Sequence, residues 1–212
     1  MPKKKKYRGM ALALSMALLM LWGALGTGAS LAWFADADEV TNIFHMANFD
    51  LQVKYKDGSE WKSVEYDTKL FDEEALYEPG YTQVVYLEVK NAGERDFKFH
   101  TAVTVSNPGF AINVFGQQFA LQDYLRFGVV VASTEAALLD EVDTRAEAVT
   151  HAVTKLGNYD QLGVTELTAG KTAYVALVLT MPESVGNEAN YRGTQPNVDL
   201  GITISATQIE EL

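Results

Sequence analysis

Apolar and polar residues alternate with a period of two through most of this chain from residue 49 onward. In Val198–Gln208 the residues Val198, Leu200, Ile202, Ile204 and Ala206 alternate with Asp199, Gly201, Thr203, Ser205 and Thr207. One set is suited to a core and the other to water, the pattern of a strand with one buried face. Thr172–Met181 repeats it with Ala173, Val175, Leu177 and Leu179 on one side. So do Thr82–Lys90, with Val85, Leu87 and Val89, and Phe97–Val105, with Phe97, Phe99, Val103 and Val105. Asn91-Ala92-Gly93-Glu94-Arg95 joins these last two and suits either a hairpin or a loop crossing between sheets. Phe49–Lys56 and Trp61–Tyr66 flank Asp57-Gly58-Ser59, a hairpin signal. Leu125–Ala132 is more continuously apolar and predicts a central strand.

Helical spacing is confined to two insertions. Leu138, Val142, Ala146, Val149, Val153 and Leu156 recur in steps of three and four, with Thr134 as N-cap and Gly157-Asn158 as stop. A weaker helix is predicted over Gln117–Tyr124. About seven strands with so few helices predict a mainly β domain, a jelly-roll-like β-sandwich over residues 48–212 with one or two inserted helices.

The first 32 residues follow a different rule. Lys3-Lys4-Lys5-Lys6 and Arg8 form a basic head, an apolar run extends from Met10 to Leu25, and Gly26-Thr27-Gly28-Ala29-Ser30-Leu31-Ala32 closes it with small residues. That order predicts a signal peptide, cut between Ala32 and Trp33. An uncleaved anchor ranks second, because the apolar core is short of the roughly 20 residues a span needs. Residues 1–32 hold five of the 17 basic residues and none of the 28 acidic ones. Cleavage leaves 12 basic against 28 acidic residues, a net charge of −16. Such a surface repels nucleic acid and anionic lipid. No cysteine is present, which rules out a disulfide scaffold, a lipidated cysteine and a thiol nucleophile. The chain closes on Ile209-Glu210-Glu211-Leu212 without an apolar tail or wall-sorting motif, so no stable membrane insertion is expected after cleavage.

Catalytic signals are sparse. His45, His100 and His151 stand on separate elements without the spacing of a zinc-protease helix. There is no nucleophile elbow, phosphate loop or dinucleotide fingerprint. Asp36/Asp38/Glu39, Asp72/Glu73/Glu74 and Asp140/Glu141 lack calcium-loop spacing. No catalytic residue, metal ligand or cofactor is assigned, and an enzyme is disfavoured.

Three stretches together resemble the TasA/camelysin family of secreted bacterial proteins. The first is Trp33-Phe34-Ala35-Asp36, Asn42-Ile43-Phe44 and Asn48-Phe49-Asp50-Leu51-Gln52-Val53, similar to a family pattern of Phe-x-Asp, Asn-x-Phe and Gly-x-Leu-Asp-Leu. Here Asn48 and Phe49 replace the usual glycine and leucine. The second is Tyr77-Glu78-Pro79-Gly80-Tyr81 leading into a strand and Asn91-Ala92-Gly93. The third is Asn190-Tyr191-Arg192-Gly193, before a last strand closing on Ala206-Thr207-Gln208. Residues 107–160 match no family motif.

The resemblance implies a secreted jelly roll, located in the extracellular matrix or at the cell surface and processed by a specialised signal peptidase. It further implies a subunit of a biofilm matrix fibre, in which residues 33–47 complete a neighbour's sheet through Phe34, Val40, Ile43 and Phe44. The partner is then the chain itself, repeated head to tail, with an accessory fibre protein as a further candidate. A metal-dependent protease, the activity described for the camelysin branch, and a monomeric or accessory surface protein are the alternatives.

Overall fold

The computed structural model describes residues 50–65, 68–72 and 75–209. Two antiparallel sheets face each other across one core. The larger contains β1 (Leu51–Asp57), β2 (Glu60–Ser63), β3 (Thr82–Asn91), β7 (Arg126–Ala132), β8 (Thr154–Lys155) and β10 (Thr172–Thr180), in the order β2-β1-β3-β10-β7-β8. The smaller has the order β11-β4-β9, from β4 (Phe97–Asn107), β9 (Tyr159–Leu167) and β11 (Asp199–Gln208). A short hairpin of β5 (Phe110–Ile112) and β6 (Gln118–Ala120) stands apart. The chain is thus a jelly-roll-like β-sandwich with two inserted helices, α1 (Glu135–Val142) and α2 (Arg145–His151).

The alternating rows meet in the core. Leu200, Ile202, Ile204 and Ala206 of β11 lie beside Phe97, Phe99 and Val103 of β4, opposite Leu87 and Val89 of β3 and Val175 and Leu177 of β10. Thr101 completes the inward row of β4, buried with its hydroxyl unbonded. The β1–β2 hairpin turns through two residues, Gly58 and Ser59, and Gly58 has φ +61°, a conformation glycine adopts without steric cost. The connection Ala92–Asp96 crosses between sheets instead of forming a hairpin, because β3 and β4 belong to different sheets.

A second, smaller core lies outside the larger sheet. Leu138 and Val142 of α1 and Ala148 of α2 pack on Ala176 and Val178 of β10, with Val130 and Ala132 of β7 alongside. Strands β7 and β10 are therefore apolar on both faces, and β10, not β7, holds the middle of the sheet. The spacing that predicts one helix over 134–156 produces two. Thr144 caps α2 with a capping box to Glu147, breaking the run after Val142. Val153 lies exposed beyond α2, and Leu156 enters the main core. The predicted helix at 117–124 is β6 followed by a single 3-10 turn, Leu121–Tyr124.

Helix α2 sits very close to the sheet because Gly128 has no side chain. A Cβ there would fall 2.2 Å from the carbonyl oxygen of His151, a backbone atom. Gly128→Ala is expected to lift the end of α2 and cost roughly 1–3 kcal/mol, as overpacking does. Urea unfolding would show the midpoint fall; an unchanged midpoint would mean that α2 docks loosely.

Candidate assembly surface

The two sheets of the sandwich leave four edges among the described residues, and they are not alike. Strand β2 has four residues and β8 only two. Strand β9 is longer, but two irregularities interrupt its pairing with β4 and it carries Asp160 and Glu166. Bulges and charges are the usual means of blunting an edge. Strand β11 has ten residues and pairs with β4 from Asp199 to Gln208, with one register shift at Asp199/Leu200. From Leu200 to Gln208 it carries no charge. Among the described residues no strand lies along its outer side.

A cleft of about 330 Å³ opens beside the start of β11. Phe71, Leu125, Leu156, Leu179 and Leu200 supply apolar lining, while Asp72, Glu78, Asn190, Asn197 and Asp199 supply the polar part. Tyr77 lines it too, its ring edge-on to Tyr81 at 5.0 Å and its hydroxyl donating to Gln83 Oε1 at 3.2 Å. Burial pushes the Tyr77 phenol above its ordinary range, with Tyr81 and Asp72 adding to the shift, so it stays a neutral donor. No histidine lines the cleft. Among the described residues no group of three or more His, Cys, Asp or Glu is placed to hold a metal ion, and no helix is long and apolar enough to cross a membrane.

Ala32, Trp33, Phe34, Asp36, Val40, Asn42, Ile43 and Phe44 lie outside the described residues. The remaining motif residues occupy four places. Asp50 and Leu51 meet the corner after β3, where the Asp50 carbonyl accepts from Ala92 N at 2.8 Å and Leu51 pairs with Asn91. Two stretches distant in sequence thereby come together. Pro79 and Gly80 form the turn at the opposite end of β3, where Gly80 N donates to Met181 O at 2.8 Å. Asn190 and Gly193 flank a segment that pairs with the turn after β5: Asn190 O accepts from Val114 N at 2.9 Å, and Arg192 N donates to Ile112 O at 2.7 Å. Gln208 ends β11 opposite Phe97. All but Gln208 are at turns and strand starts, and none forms a reactive cluster.

His100 sits on the outer side of β4, between buried neighbours Phe99 and Thr101. His151, at the end of α2, is half-buried with Nε2 3.3 Å from Glu141. Sequence periodicity predicts neither the β5–β6 hairpin nor the cleft.

No protein-family model matches the chain, and no curated protein matches it. Among the solved structures with remote likeness are two of different kinds. One is the ASH/PapD-like domain 7 of human CEP192, at 12% identity and TM-score 0.28, covering 86% of this chain and 98% of that one. The other is a family 123 glycoside hydrolase from Clostridium perfringens, at 10% identity and TM-score 0.22, covering 64% of this chain and 23% of that one. Both are too distant to argue from.

Proposed function

We propose that this chain is a secreted structural subunit of an extracellular fibre. Cleavage after Ala32 frees residues 33–47, which pair along the edge of a neighbouring sandwich. The observation that supports this reading is β11: a long edge strand, uncharged from Leu200 to Gln208 and with no strand along its outer side among the described residues, beside a cleft of mixed apolar and polar lining. Exposed edges of that kind are templates for another strand. The resemblance of Trp33–Val53 to the TasA/camelysin family supports the donor assignment. Strand donation between identical subunits repeats head to tail, so its symmetry is open and generates a filament. The signal segment ties the donor to the membrane until it is cut, which makes cleavage the step that permits assembly.

Purified residues 33–212 should form filaments alone, visible by electron microscopy. Their growth should speed up with added salt or mild acid, because subunits of charge −16 repel one another over about 8 Å at physiological ionic strength. Filaments that appear only with a second protein would make the chain an accessory component. Growth slowed by salt would remove repulsion as the control.

A further inference from the structure

The β5–β6 hairpin is built inside out. Strand alternation places Ala111 and Phe119 towards the core, where Phe119 is buried, while Phe110 and Ile112 face away. Val114 continues that outer row and Phe115 occupies the turn. Phe110 is 64% exposed, Ile112 46%, Val114 47% and Phe115 63%. Tyr191, also exposed, lies alongside through its bridge to Asn113. A single exposed apolar residue is ordinary, whereas a contiguous group of this kind marks an interaction surface.

The turn that displays this row is held firmly. Asn113 is 2% exposed, and its Oδ1 accepts from Phe115 N at 3.0 Å and Gln117 N at 2.9 Å. Its Nδ2 donates to Glu188 O at 3.2 Å. Val114 N and Arg192 N bond across to complete the link between the hairpin and the 190–192 segment. The apolar side chains are therefore presented on a fixed backbone, which lowers the ordering cost of binding.

Charge identifies the occupant. Residues 101–122, which include the whole hairpin, contain no Asp, Glu, Lys, Arg or His, in a chain of net charge −11. Two acidic copies repel least where neither carries charge. Aromatic side chains present about 150–250 Å² each and Ile and Val less, so at about half exposure the five offer on the order of 400 Å² per copy. Pairing two copies then removes roughly 800 Å², the size of a weak, reversible contact. The acidic residues near Tyr191, namely Glu188 and the cleft's Asp72, Glu78 and Asp199, oppose an anionic membrane.

We infer that the hairpin is a self-association surface, through which two copies of this chain pair about a two-fold axis with the row Phe110, Ile112 and Val114 of one against that of the other. This contact does not use residues 33–47 and is separate from strand donation. In a filament it joins strands side by side.

Residues 33–212 contain every element of the sandwich and its core, so they are the species to test. In the Phe34→Asp/Phe44→Asp background, which removes donation, sedimentation equilibrium should show a monomer–dimer exchange in the range of about 10–100 µM, tightening with salt. Adding Phe110→Ser and Phe115→Ser should weaken it at least tenfold while leaving the thermal midpoint unchanged, since both side chains are exposed. A parent that stays monomeric to about 1 mM would overturn the inference. So would a serine variant that dimerises like the parent. A monomeric parent that floats with phosphatidylcholine vesicles through the same two phenylalanines would assign the hairpin to a membrane instead.

Discussion

Chains carrying Phe34→Asp and Phe44→Asp should fold like the parent and fail to elongate. Burying a large apolar side chain is worth roughly 1.5–3 kcal/mol, so the four proposed donor residues would contribute about 6–12 kcal/mol to each junction. Association and ordering costs are of similar size, which leaves a small surplus. Losing two phenylalanines removes roughly 3–6 kcal/mol, a factor of about 100 to 10,000 per junction, before the cost of burying a carboxylate is counted. A filament needs every junction, so polymer should vanish rather than shorten. The sandwich keeps its own core, and the urea midpoint should not move. Filaments of normal length from the double variant would sink the donor-strand reading. Because the chain has no cysteine, the acceptor edge can be mapped separately. Thr203→Cys chains of β11 mixed with chains carrying a cysteine in turn at residues 40–46 should form intermolecular disulfides at alternate positions. Cross-links absent at every position would place the acceptor elsewhere.

The parts of this fold legible in the sequence are those where one face meets the core and the other meets water. Leu200, Ile202, Ile204 and Ala206 show their strand directly, and Gly58 its turn. Legibility fails where a second layer is added. Val130 and Ala132 of β7 are apolar because helices cover them, so an unbroken apolar run indicates burial on two faces without revealing which strand is central. The split between α1 and α2 has a signal, Thr144 three residues before Glu147, but the apolar stripe runs across it and hides the break. The β5–β6 hairpin inverts the rule altogether, with its large residues in solvent, so periodicity cannot assign its inner face. The open edge of β11 is invisible for another reason: strand order is a property of long-range pairing, and nothing local in Val198–Gln208 says that only β4 lies beside it among the described strands.

Electrostatics distinguishes the two surfaces proposed for assembly from the edge formed by β9. Both Leu200–Gln208 and residues 101–122 are uncharged, whereas β9, the other long edge, carries Asp160 and Glu166. Ion pairs elsewhere, such as Lys56 with Glu135 at 2.6 Å and Lys54 with Glu88 at 3.1 Å, tie neighbouring elements of one subunit together. Under the proposed function, the excess of acid would keep free subunits apart and direct association to the stretches that lack charge.

Asn91→Ala should destabilise the sandwich by roughly 3–5 kcal/mol, more than the overpacking at Gly128. Asn91 ends β3 at 1% exposure and joins two corners that cross between the sheets. Its Nδ2 donates to Arg95 O at 2.8 Å, within the β3–β4 corner, and to Leu167 O at 2.9 Å, at the end of β9. Its Oδ1 accepts from Gly93 N at 3.1 Å. Next to the start of β10, Asn91 N donates to Lys171 O and Asn91 O accepts from Gly170 N, both at 2.9 Å. Alanine preserves those backbone bonds and abandons three side-chain ones, and each buried polar group left unmet costs about 1–3 kcal/mol. Against a typical domain stability of about 5–15 kcal/mol this is a large fraction. Asn91→Asp is a sharper test. It sets a carboxylate against the carbonyls of Arg95 and Leu167, so its folded-state pKa lies above the unfolded one. Its penalty is therefore greatest at neutral pH and eases as pH falls through the raised pKa and a proton restores one donor. Urea midpoints across pH would show Asn91→Ala shifted by a constant amount and Asn91→Asp converging on it in acid. A parent-like midpoint for Asn91→Ala would mean that the corner is held by its backbone bonds alone, including the one from Ala92 N to Asp50 O beside the start of β1.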